Sequence, residues 1–153
     1  ALTVGGICAL NFGKLQNCIC KVKFVENSNQ LANSRMGGLV GVLMENGSIE
    51  NCLSLSSSQL IENIDAVVEN GQLKNYNIGC VYGQKATNTK ITNVYTIKSS
   101  LLYCDKFDTS IVWDVKTEFA SKEFYYNTLK FELSVWNIDS IDAIDLVITN
   151  INE

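Results

Sequence analysis

Asp105 and Asp108, three residues apart, are the kind of carboxylate pair that could serve as acid and base in glycoside hydrolysis. Nothing beside them in sequence marks a substrate groove, so structural carboxylates are the better reading. A second acidic series, Asp139, Asp142 and Asp145, recurs every third residue and could offer oxygen ligands to a calcium ion. It lacks the glycine and closing glutamate of an EF-hand loop. Ile138, Ile141 and Ile144 alternate with the acids, which suits a strand or turn carrying solvated carboxylates. The chain contains no histidine, which removes the usual general base, the histidine-activated nucleophiles and the commonest zinc ligand.

The six cysteines are Cys8, Cys18, Cys20, Cys52, Cys80 and Cys104. Cys18 and Cys20 form a CxC and the others are scattered singly, unlike the paired spacing of a zinc site. A disulfide set is one reading, but buried free thiols acting as small hydrophobes are favoured. Ser54 and Ser56 to Ser58 read as a polar loop. Asn46-Gly47-Ser48 is a complete glycosylation sequon, relevant only in a eukaryotic secretory setting. Trp113 and Trp136 both sit among aliphatics and read as core anchors rather than sugar platforms. No catalytic, cofactor-binding or metal-ligating residue is assigned, and a non-catalytic protein without cofactors is expected.

What must position these residues is a chain of 153 amino acids, 46% hydrophobic and only 18% charged, enough for one packed domain or a short stack of repeats. A net charge of −4 gives no electrostatic reason to expect a nucleic acid or an anionic membrane. No apolar run is long enough to span a bilayer, and no signal-peptide pattern is visible. The chain is expected to be a piece of a longer protein. Proline is absent, leaving glycine and asparagine to make the turns.

The first hundred residues repeat themselves. Gly5-Gly6-Ile7-Cys8-Ala9-Leu10 leads to Leu15-Gln16-Asn17-Cys18-Ile19, and Gly37-Gly38-Leu39-Val40-Gly41-Val42 leads to Ile49-Glu50-Asn51-Cys52-Leu53. A weaker third copy runs from Ile78-Gly79-Cys80-Val81-Tyr82-Gly83 to Ile91-Thr92-Asn93-Val94-Tyr95. With Gly79 equated to the second glycine of each pair, the spacing from glycine to asparagine is 11, 13 and 14 residues. That drift is assigned to loops, as stacked repeats tolerate.

Short runs rich in Ile, Val, Leu, Tyr and Thr predict strands, with turns at Asn46-Gly47 and Asn70-Gly71. Two architectures compete. In a parallel β-solenoid, Asn17, Asn51 and Asn93 form a ladder at a bend, while Cys18, Cys52 and Val94 stack as apolar fillers. In an antiparallel β-sandwich, the Asn-Gly turns join hairpins. The solenoid is favoured because glycine and asparagine positions recur while turn chemistry does not. Strand facing stays open, since the alternation of Ile49, Leu53 and Leu55 with Cys52, Ser54 and Ser56 breaks at Asn51.

These motifs resemble the GLUG repeat, a glycine-glycine-aliphatic strand followed by a polar loop and an aliphatic-x-Asn-Cys strand. The likeness covers roughly residues 5 to 98, with core segments 5–24, 37–56 and 78–98. Glu123 to Phe131, followed by Val135-Trp136-Asn137-Ile138, is similar to a segment that often follows such repeats, with Lys130 in place of glycine and Asn137 in place of aspartate. GLUG repeats occur in bacterial surface proteins, adhesins, some immunoglobulin A proteases and surface proteins of anaerobic protists. The resemblance implies a β-solenoid spacer or adhesive segment, an extracellular or cell-surface location, and a protein or cell-surface partner.

Residues 99 to 153 read as a separate unit. All ten glycines lie at or before Gly83, and nine of the fourteen aromatics lie beyond residue 100. The expectation is a mainly β protein in which residues 1–98 hold about three irregular repeats. Residues 99–153 then form an aromatic-rich cap with one short helix between Lys116 and Leu129 and strands at Ile111–Val115 and Leu146–Thr149. A subunit of a large intracellular assembly, or an accessory arm of a protease or glycosidase, are the competing functional readings.

Overall fold

A computed structural model describes residues 2–24, 34–58, 67–69, 72–74, 77–97, 103–114, 122–132 and 136. Asp139, Asp142, Asp145 and the strand expected at Leu146–Thr149 lie outside them. The protein is mainly β, with parallel sheets. A first pass of chain supplies β1 (Thr3–Gly5), β2 (Cys8–Asn11), β3 (Lys14–Gln16), β4 (Ile19–Cys20) and β5 (Lys23–Phe24). A second supplies β6 (Arg35–Gly37), β7 (Val40–Leu43), β8 (Ser48–Ser54) and β9 (Ser57–Ser58). Between the second and third passes, β10 (Val67–Glu69) and β11 (Gln72–Lys74) pair antiparallel, as a turn at Asn70-Gly71 requires, although those two residues lie outside the described set. The third pass supplies β12 (Asn77–Gly79), β13 (Tyr82–Lys85) and β14 (Lys90–Ile97), followed by β15 (Ile111–Asp114).

Each strand pairs with its counterpart in the next pass. β6 lies between β1 and β12, β7 between β2 and β13, and β8 between β3 and β14, all in parallel. β15 extends the last ladder beside β14. Asn46-Gly47 therefore does not close a hairpin. It links β7 to β8, which belong to different ladders, and only Asn46 of the two holds a φ in the left-handed region, 64°. The antiparallel sandwich is not what this register builds.

The register also corrects the alignment of the third repeat. Gly79 pairs with Gly37, and Gly37 with Gly5, so Cys80 occupies the place of the second glycine. A side chain at any of these three stacked glycines would drive its Cβ into a carbonyl oxygen three residues on, that of Cys8, Val40 or Tyr82. This close approach, rather than turn flexibility, explains the recurrence. The loop then has the same length in the second and third passes, since Ser48 pairs with Lys90 as Leu43 does with Lys85. Only the first pass is shorter, across Phe12 and Gly13.

Asn51 resolves the facing of β8. Its φ of 53° turns the chain through the left-handed region, where asparagine is tolerated better than other side chains. Ile49 and Cys52, three apart, consequently enter one apolar cluster with Leu39, Val40, Leu43, Val81, Val94 and Ile111. Beyond the corner, Leu53 and Leu55 face the opposite way into a second cluster with Phe124, Tyr125, Leu129 and Phe131. Burial of these aliphatic and aromatic side chains is the main stabilising term, at roughly 1.5–3 kcal/mol each.

The expected short helix is a π-helical turn at Phe124–Thr128, preceded by helical Lys122 and Glu123. Its residues pack against the outward side chains of β8 and β14, and Phe124 meets Tyr95 edge-on at 5.1 Å. Lys130, directly after this turn, holds a φ of 59°.

Candidate functional site

Asp105 is 1% exposed and its carboxylate accepts three backbone N–H groups, from Cys80 at 3.1 Å, Val81 at 2.7 Å and Tyr82 at 3.2 Å. The equivalent groups in the earlier passes show what this replaces. Gly6 donates to Gly37 O, while Ile7 and Cys8 donate to Leu39 O. Gly38 donates to Gly79 O, while Leu39 and Val40 donate to Val81 O. Among the described residues no further glycine turn follows the third set, and the two carboxylate oxygens of Asp105 stand in for two carbonyl oxygens. Burial raises the Asp105 pKa to about 6, against the downward pull of the three N–H groups.

Asp108 faces a different environment. Tyr82 Oη donates to it at 2.6 Å, Lys85 Nζ at 2.8 Å and the Ser110 N–H at 2.9 Å. Partial burial works to raise its pKa, but these donors prevail and hold it near 2. The Tyr82 hydroxyl is pushed well above its ordinary value by burial and by the Asp108 charge. The two aspartates are thus close in the chain, yet both are consumed by structural hydrogen bonds. Asp105 is almost fully buried, and the two carboxylates face separate sets of donors.

The six thiols are free. Cys20, Cys52 and Cys80 are buried, and Cys8, Cys18 and Cys104 are half-buried. Burial raises the pKa of every one, that of Cys52 to about 12, so none is a reactive thiolate at neutral pH. Among the described residues no cluster of three or more metal-ligating side chains occurs. Cys52 pairs in register with Val94, and Cys18 precedes it by one pass, its carbonyl accepting the Leu53 N–H at 2.9 Å.

The serines expected in a loop are mostly interior or in a strand. Ser54 donates to Cys80 O and Ser56 to Gly38 O, filling the space that Gly38 leaves open, while Ser57 and Ser58 form β9 against β5. Ser48 of the sequon lies in β8, and Asn46 is exposed. Trp113 packs beside Tyr103 and the Met36–Ile78 cluster. Trp136 stacks on Phe131 at 5.1 Å and donates Nε1 to Asn17 O at 2.7 Å. Neither ring forms an open platform.

Asn17, Asn51 and Asn93 have φ values of 56°, 53° and 55°. Asn93 Nδ2 donates to Asn51 Oδ1 at 2.9 Å and also to Thr128 O at 2.5 Å. The rung below is not made, and Asn17 Oδ1 is buried with no hydrogen-bond partner. A shallow hollow of about 320 Å³ lies across the passes, lined by Thr3, Leu10, Val42, Met44, Ala86, Arg35 and Gln84. Within it, Arg35 Nε donates to Gln84 Oε1 at 2.6 Å. The capping role of Asp105 has no motif of its own; its signal is that it is the first acidic residue after Gly83, the last glycine. No protein-family model, curated protein or solved structure matches the chain.

Proposed function

We propose that the chain is a parallel β-solenoid segment, three coils long, that serves as a non-catalytic spacer or adhesive module of a larger surface protein. The observation that carries the solenoid reading is the parallel pairing of equivalent residues from pass to pass, with asparagine in the same left-handed corner three times. The likeness to GLUG repeats supplies the surface and adhesive part. Residues 103–114 act as the cap of the third coil, and the Phe124–Thr128 turn braces its flank.

A structural subunit of an intracellular assembly is the second reading, favoured by six free thiols, which persist most readily in a reducing compartment. An antibody raised to the folded chain separates the two. Binding to intact cells of the source organism is expected for a surface module. Binding only after permeabilisation, with all six thiols reduced in the isolated protein, would overturn the surface assignment in favour of the assembly subunit.

A further inference from the structure

The first pass is an unfinished edge. Among the described residues, β1, β2 and β3 each end their ladder, with a neighbour on one side only. Ile7 is 40% exposed and Leu10 48%, whereas Leu39 and Val42, their counterparts one pass on, are 0% and 8%. Leu2 and Phe12 are exposed on the same pass. What buries Leu39 and Val42 on this side is the pass before them.

The turn hydrogen bonds give the edge a polarity. In the first two passes the N–H groups after the first glycine donate forward, to carbonyls of the next pass, and in the third they donate to Asp105. Gly37 O and Leu39 O are the acceptors for the first pass, so the matching acceptors on the first pass itself are Gly5 O and Ile7 O. An occupant must bring three turn N–H groups to these two carbonyls. A second copy of the chain cannot supply them from its far end, because Asp105 already holds the donors of Cys80, Val81 and Tyr82. Edge to edge, two copies would set turn carbonyls against turn carbonyls.

We propose that β1 to β3 form the docking surface for one further coil of the same repeat, in the same polypeptide, whose glycine-glycine turn donates to Gly5 and Ile7. This rests on the solenoid reading above. The added coil would cover Ile7 and Leu10 as the first pass covers Leu39 and Val42.

The test is an extended protein in which a copy of residues 35–66 is placed directly before Ala1 of the full chain. This sets the copied Gly37 34 residues ahead of Gly5, the offset that Lys14 and Ser48 already keep. Hydrogen exchange is read for parent and extended protein, with a control whose copied Gly37 is replaced by valine. Docking predicts at least about 100-fold slower exchange of outward amides in residues 3–16, lost in the control. An appended segment that exchanges as unfolded chain, with residues 3–16 unchanged, overturns the proposal. So does a parent protein that dimerises through this edge in sedimentation. If the Leu39 and Val40 amides are unprotected in the parent, it is the solenoid reading itself that fails.

Discussion

Asn93 donates its side-chain amide to the side-chain oxygen of Asn51, 2.9 Å away, while both residues hold the backbone at a φ near +55°. At the Asn51 and Asn93 corners one residue type thus meets two demands, a conformation that few L-residues tolerate and a polar link between passes.

Replacing Asn51 separates these demands. Asn51→Gly keeps the left-handed corner and loses only the link, at a cost of about 1 kcal/mol. Asn51→Ala loses the link and adds roughly 1–2 kcal/mol of backbone strain. Denaturant unfolding should rank the alanine variant below the glycine variant, and equal midpoints would exclude a strained corner.

Lys130 has the same backbone constraint without an evident side-chain return. Lys130→Gly should raise stability by about 0.5–1 kcal/mol, read as a higher midpoint with unchanged denaturant slope.

The stacked glycines predict a sharp contrast. Gly37→Ala forces backbone apart and should cost several kcal/mol or abolish folding, whereas an added Cβ at Gly13 meets nothing within 4 Å and Gly13→Ala should be neutral. Soluble yield and thermal midpoint of the two variants give the comparison.

The two aspartates impose opposite pH slopes. Asp105 has a folded pKa raised from 3.8 to about 6, so its contribution to stability is full below 3.8 and is lost as pH rises to about 6. Asp108 has a folded pKa lowered to about 2, so its contribution is present above 3.8 and is lost as pH falls towards 2. Thermal midpoints across pH should lose the first slope in Asp105→Asn and the second in Asp108→Asn. Asp105→Ala leaves three buried N–H groups without acceptors and should cost about 3 kcal/mol or more at any pH.

Alkylation at pH 8 should be slow at all six cysteines. Cys20, Cys52 and Cys80 should react only on unfolding. Rapid modification of Cys52 in the native protein would contradict its burial.

The asparagine and glycine periodicity was legible because each position carries its own backbone requirement, which leaves a mark on residue type. The pairing of Cys52 with Val94 followed from the same alignment. The equivalence of Gly79 was misread because Cys80 takes the place of the second glycine and disguises the pair. Asn46-Gly47 suggests a hairpin locally, yet the ladders place β7 and β8 in separate sheets, a long-range outcome that dipeptide chemistry does not encode. Ser54 and Ser56 read as loop residues by composition, but the space opposite Gly38 admits a small side chain that also finds an acceptor. Asp105 looked chemical for the same reason that it works as a cap, since a carboxylate offers two acceptors in a fixed fork.

Between the second and third passes the register offset is 42 residues, against 34 between Lys14 and Ser48, yet it holds constant from β12 through β14. The additional length therefore lies wholly outside the ladders, in the stretch that includes β10 and β11. That stretch is a natural place for decoration. Loops, tags or whole inserts exchanged there are expected to leave the paired strands on either side in register.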